Sequence, residues 1–156
     1  MRPRPLLMLL SGIVVMAVLG AGVALAEQCS GYDVGVSQVA ETTELAKGHT
    51  ITVIRAHSMV VTDNPADKYN LTIGECSGSV VNTPDGKATA SGACARRDKD
   101  GDSYSVEWGI APGAERGLWK QIAGTGKFAG KPASGWYQSV VADGKMFADK
   151  WGGSCE

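Results

Sequence analysis

Three side chains in the first half of the chain have the types needed to do chemistry together: Arg55, His57 and Glu75. Arg55 and His57 alternate along a face that also carries Ile51, Val53, Met59 and Val61, and Glu75 follows Tyr69, Leu71 and Ile73 at the same spacing. If both faces turn inward on neighbouring strands, a carboxylate meets a guanidinium or an imidazole in apolar surroundings. Unpaired charge is costly there, so pairing is expected. Such a group can orient a ligand carboxyl or hydroxyl, or work as an acid and base. The competing reading is an ordinary surface or structural ion pair. Trp108 and Trp119 form a second candidate set. They fall opposite one another about residues 113 to 114, where they can line an apolar pocket or simply belong to the core.

Other chemistry is harder to support. Asp98, Asp100 and Asp102 have the spacing of the first three ligands of an EF-hand loop, but Ser103 stands where that loop needs Gly and Gly109 where it needs Glu. The expectation is a solvated hairpin tip, with weak Ca²⁺ binding as the alternative. There is no G-x-S-x-G elbow, H-E-x-x-H pair or cysteine in a catalytic setting, and no cofactor motif is recognised. With 15 Lys plus Arg against 16 Asp plus Glu, the formal charge of −1 gives no basis for nucleic-acid binding. The length of 156 residues suits a single domain, and 21 glycines argue against a helical bundle.

The first 26 residues read as a signal peptide rather than as part of the fold. Arg2 and Arg4 are followed by an uncharged run from Leu6 to Leu25, ending in the small-x-small site Ala24-Leu25-Ala26. The run is also long enough for a retained anchor. Cleavage would leave residues 27–156 as one periplasmic or secreted domain with no stable membrane anchor. An exported chain keeps its disulfides.

Elements that could position the candidate residues follow a period of two. His49–Thr62 is rich in β-branched residues, and Tyr104, Val106 and Trp108 alternate with Ser103, Ser105 and Glu107. Turn residues recur at Asp63-Asn64-Pro65, Pro84-Asp85-Gly86, Asp100-Gly101-Asp102, Pro112-Gly113 and Asp143-Gly144. Cutting there gives eight strands: 31–40, 49–62, 68–81, 87–97, 102–110, 117–124, 133–142 and 145–152. The first is the least regular, and 39–47 could form a helical turn. Short connections favour an antiparallel meander.

The four cysteines test this layout. Cys76 and Cys94 lie symmetrically about residue 85, so a hairpin places them opposite one another. Cys29 and Cys155 precede the first strand and follow the last. They become neighbours only if the sheet closes, which also removes its exposed edges. The chain-entropy model gives so long a loop roughly 4–5 kcal/mol of stabilisation at most. The pairing Cys29–Cys76 with Cys94–Cys155 is the rival, and zinc binding is disfavoured because no C-x₂-C spacing occurs. The predicted fold is therefore an all-β, eight-stranded antiparallel closed barrel stapled by disulfides, whose interior is filled or holds one small ligand.

One segment is more specific than periodicity. Trp119-Lys120-Gln121-Ile122-Ala123-Gly124-Thr125-Gly126-Lys127-Phe128-Ala129-Gly130, leading into Ser134-Gly135-Trp136-Tyr137, resembles the G-T-G-K-[FY]-x-G signature of the allene oxide cyclase and dirigent barrel superfamily, in particular its small exported bacterial members. The acidic hairpin before Val106-Glu107-Trp108 adds to the likeness. The resemblance implies an eight-stranded closed barrel with a hydrophobic interior that binds or steers a small apolar molecule. It carries across no catalytic residue. From the residues themselves, the glycines suit a tight barrel corner and Phe128 suits a plug for the barrel end. The functional expectation is an exported barrel that binds a small apolar ligand. The alternatives are an isomerase or cyclase of the allene-oxide-cyclase type, and a structural or partner-binding protein with a solid core.

Overall fold

The computed structural model describes residues 28–143 and 145–155. The expected signal peptide lies outside the described residues. Eight strands close into one antiparallel barrel: β1 (Gln28–Ala46), β2 (His49–Thr62), β3 (Ile73–Asn82), β4 (Ala88–Arg97), β5 (Ser103–Ile110), β6 (Gly117–Gly124), β7 (Ala133–Asp143) and β8 (Met146–Cys155), in sequence order around the ring. Closure is made by β1 and β8, which pair from Gln28↔Ser154 to Val36↔Met146. Both cystines have the expected partners. Cys29–Cys155 ties the seam where the two ends of the barrel chain meet, and Cys76–Cys94 joins two residues directly opposite one another on β3 and β4.

Two elements differ from the sequence expectation. β1 runs on to Ala46 instead of turning helically, because Glu41–Ala46 find ladder partners in β2 across the Lys47-Gly48 turn. β3 starts at Ile73 rather than 68. Residues 63–72 form a loop pinned by Asp67, whose carboxylate accepts the Tyr69 N–H at 2.8 Å, and by the Thr72 hydroxyl, which donates to the Tyr69 carbonyl at 2.9 Å. Leu71 takes the left-handed conformation, φ 57°. That single residue breaks the alternation, so Tyr69 turns into the barrel while Ile73 and Glu75 turn out.

One end of the barrel is plugged. Phe128 is fully buried and packs against Tyr69 and Tyr104, with ring centroids 4.7–5.3 Å apart. The polar tips of this cluster are satisfied. Tyr69 donates to Gln121 Oε1 at 2.7 Å, Gln121 Nε2 donates to the Phe128 carbonyl at 2.9 Å, and the Tyr104 and Thr72 hydroxyls are bonded at 2.9 Å. Phe128 ends the 3₁₀ turn Gly126–Phe128, which begins at Gly126 with φ 48°. A Cβ at Gly126 would also overlap the Asp102 carboxylate, so backbone freedom and space both require glycine there.

The acidic hairpin has the expected exposed tip at Lys99, Asp100 and Gly101, while the carboxylates of Asp98 and Asp102 at its base hold this turn. Asp98 accepts the N–H groups of Asp100 and Asp102 through Oδ1, and its Oδ2 lies 2.7 Å from Lys127 Nζ. Asp102 accepts the Lys127 N–H at 3.0 Å. The Lys127 ammonium pairs with the buried Asp98 carboxylate. Its hydrogen bond holds the Asp98 carboxyl below the usual carboxylate range.

Candidate binding cavity

Above the plug the barrel is hollow, with a cavity of about 550 Å³. Its two walls have opposite character. β2–β4 contribute small residues, among them Ala56, Ala88, Ala90 and the Cys76–Cys94 bridge, whereas β5–β8 contribute Trp108, Trp119, Tyr137 and Trp151. Trp108 fits because its partners across the sheet are small. Gly92 is its register partner and Gly78 is the partner of Gly92, and a Cβ on either would come within 2.5 Å of the indole.

Trp108 and Trp119 are direct cross-strand partners and both line the cavity. They do not stack on one another. Trp108 meets Tyr137 edge-on at 6.2 Å, and Trp119 meets Trp151 edge-on at 5.8 Å. The aromatic wall therefore consists of two T-shaped pairs.

Arg55, His57 and Glu75 are elsewhere. His57 and Glu75 are register partners, and His57 Nε2 lies 3.2 Å from Glu75 Oε1, but this pair faces solvent with side chains 51% and 73% exposed. Arg55 is exposed on the same outer face. Of the two readings of these three residues, the structure shows the surface one, with His57 and Glu75 as an exposed ion pair and Arg55 beside them, and not the inward one. β2 turns its smaller residues inward, burying Ala56, Ser58, Val60 and Thr62, and leaves Val53 and Val61 on the outside. A barrel with a hollow middle needs small inward side chains, so the more apolar face is not the inner face here.

The interior polar groups are different residues: Asp33 on β1, Arg96 on β4 and Asp149 on β8. Arg96 reaches across the barrel wall to Asp33, with Nη2 2.5 Å from Oδ2, and the same nitrogen lies 3.4 Å from Cys76 Sγ. Asp149 is the direct register partner of Asp33 across the β1–β8 seam and is bonded by the Ser139 hydroxyl at 2.5 Å. Burial pushes the Asp33 carboxyl up despite the opposing pull of Arg96. Burial likewise raises Asp149, helped by the neighbouring Asp33 and opposed by Ser139. Tyr137 is pushed up to about 12 by burial and by Asp149.

Several cavity-lining groups lack partners. Asp33 Oδ1, Arg96 Nη1 and the indole nitrogens of Trp119 and Trp151 are buried without a hydrogen bond. Among the described residues no cluster of His, Cys, Asp or Glu is arranged to hold a metal ion.

A signal for these residues was present in the cystines. All four cysteines are buried, so their strand parity marks the inner face. Steps of two from Cys29 reach Asp33, from Cys94 reach Arg96, and from Cys155 reach Trp151 and Asp149. Adjacent to Cys76, Glu75 must then face outward.

No family model and no curated protein matches the chain. Solved structures do resemble it. The pterocarpan synthase dirigent protein GePTS1 aligns with a TM-score of 0.51 at 13% identity, over 93% of this chain and 96% of that one. The pterocarpan synthase dirigent protein PsPTS1 aligns with a TM-score of 0.51 at 10% identity, over 85% and 95% of the two chains. At such identities the likeness is one of fold: the chain has a barrel like that of dirigent proteins.

Proposed function

We propose that the protein is an exported barrel that takes one small, largely apolar molecule into its cavity. The observation that carries this reading is the hollow interior itself, about 550 Å³, in which buried polar atoms have no partner. That volume falls within the ~300–1,000 Å³ usual for small-molecule sites, and the mix of aromatic walls with a few fixed polar atoms is their usual lining. Trp108 and Trp119 supply apolar contact, and the two free indole N–H groups and Arg96 supply donors to a ligand oxygen. Arg55, His57 and Glu75 have no part in this site. The two disulfides suit an oxidising location, periplasmic or secreted. The G-T-G-K-F segment and the dirigent-like barrel together support a place in the dirigent and allene oxide cyclase group. A solid-core structural role fits poorly with a cavity of this size.

A panel of fluorescent fatty-acid and phenolic probes tests the reading. At least one should bind with a stoichiometry near one, and Ala90→Phe, which fills the small-residue wall, should abolish binding while leaving the fold intact. Failure of the whole panel, or binding indifferent to Ala90→Phe, would remove the cavity as the site.

A second reading, an isomerase or cyclase, draws on the facing carboxylates Asp33 and Asp149. Asp149 faces Asp33 across the seam and burial raises both carboxyls, so Asp149, which has no cationic partner among the described residues, is placed to exchange a proton with a bound substrate. It predicts turnover that is lost in Asp149→Asn with binding retained. Turnover unaffected by that change would eliminate it.

A further inference from the structure

The charge lining the cavity and its mouth does not balance. Three carboxylates line the cavity, Asp33, Asp149 and Glu115, against the single guanidinium of Arg96. Arg96 is committed to Asp33. Asp149 has only the Ser139 hydroxyl, and among the described residues no Lys, Arg or His lies within ion-pair distance of it. Glu115 is exposed between β5 and β6, on the same side of the barrel as the aromatic wall.

Two further features point to what would complete this site. The Asp33 carboxylate has no close hydrogen-bond donor on Oδ1 among the described residues, with the Ser58 hydroxyl near enough to lower its value, and this oxygen belongs to the register partner of Asp149. Aromatic rings stand on the same part of the wall: Trp151, two residues along β8 from Asp149, pairs with Tyr137, whose hydroxyl is affected by the Asp149 carboxylate, and Trp108 lies edge-on to Tyr137. A carboxylate next to aromatic rings in a partly dry cavity is the arrangement that recognises an ammonium group, through ion pairing together with cation–π attraction. A neutral or anionic guest would leave the half-buried Asp149 without a charge partner.

We propose that the cavity selects a hydrophobic cation, an aromatic or alkyl amine or quaternary ammonium, whose positive charge sits beside Asp149 and the adjoining Asp33 carboxylate while its apolar body fills the space between the small-residue and aromatic walls. The inference rests on the reading of the cavity as a binding site and adds the charge of the guest. The indole and guanidinium donors remain free for an oxygen elsewhere on the same molecule.

Three matched probes test it on the oxidised, folded protein at pH 7: 1-naphthylmethylamine, 1-naphthylmethanol and 1-naphthylacetate, titrated by calorimetry. The amine should bind roughly tenfold or more tightly than the alcohol, and the acetate more weakly than either. In Asp149→Asn the amine-to-alcohol ratio should fall to within about threefold. Glu115→Gln, at an exposed position where folding is not at risk, should lower the ratio by a smaller factor. Equal binding of amine and alcohol, or a ratio unmoved in both variants, overturns the charge preference alone. Absence of binding by all three, together with failure of the fatty-acid and phenolic panel, overturns the cavity reading as well.

Discussion

At the end of the barrel closed by Phe128, the tyrosine hydroxyls, Gln121 and Thr72 bond to one another, and three rings fill the space between them. Further along the same strands, two indoles, a guanidinium and a carboxylate surround an opening and keep unpaired atoms. The plugged end is complete without a partner. The hollow part is not. Identical strand pairing supports both, so the difference lies in side-chain volume. Phe128 arrives from outside the strand pattern, on a turn held by the acidic hairpin, whereas Ala56, Ala88 and Ala90 leave their part of the barrel unfilled. Stability should therefore concentrate in the plug and ligand response in the cavity.

The largest expected effect is at the plug. Phe128→Ala empties a fully buried site and should cost about 3–5 kcal/mol in urea unfolding. A loss below about 1 kcal/mol would mean that the plug does not hold the barrel together. Next comes Arg96→Met, which strands the Asp33 carboxylate and should cost about 3 kcal/mol at pH 7. Asp33 already has a raised value, and removing its guanidinium raises it further. The folded state then binds a proton more readily than the unfolded chain, so the loss should shrink as pH falls through the raised value towards the ordinary carboxylate range. A cost that does not change with pH would argue against this ion pair.

A pair of milder changes separates the two regions directly. Tyr104→Phe leaves the fully buried Thr72 hydroxyl with only its bond to the Tyr69 carbonyl and should cost about 1–2 kcal/mol. Trp119→Phe removes an indole N–H that has no partner, and should cost less than Tyr104→Phe while weakening ligand binding. Equal costs would erase the distinction between plug and cavity. The smallest effect has the opposite sign. Asp149 is raised by burial, so at neutral pH its ionised form opposes folding, and Asp149→Asn should stabilise the ligand-free protein by under about 1 kcal/mol. That gain should fade as pH falls and the carboxyl takes up its proton.

Within the acidic hairpin the pH sign reverses. Asp98 is lowered by Lys127, so its contribution is present above the ordinary carboxylate value and is lost as pH falls through the lowered one. Acid should loosen the plug end at Lys127 while relieving Asp149 in the cavity. Amide exchange measured separately for the 98–102 and 146–151 segments would reveal the divergence.

Strand number, antiparallel order and both cystine partners were legible in the sequence. Alternation and turn residues mark strands locally, and cysteine pairing constrains the ends. The start of β3 was hidden by a left-handed Leu71, a conformation that sequence preference assigns to glycine or asparagine. Hydropathy alone leaves the inner face open for a related reason. Arg55 and His57 share the apolar side of β2 and Glu75 follows an alternation through Tyr69, yet this side is the outer surface, where Val53 is 47%, Leu71 58% and Ile73 48% exposed.

By itself, the amino-acid sequence determined a ring of eight strands and the way it is stapled, because pleat period and turn chemistry act between near neighbours. Only the tertiary structure decided which face of each strand turns inward and how much room remains. Those outcomes depend on the summed volume of side chains from all eight strands. It also decided that Asp33, Arg96 and Asp149, far apart along the chain, share one interior, since their proximity exists only once β1 has closed against β8.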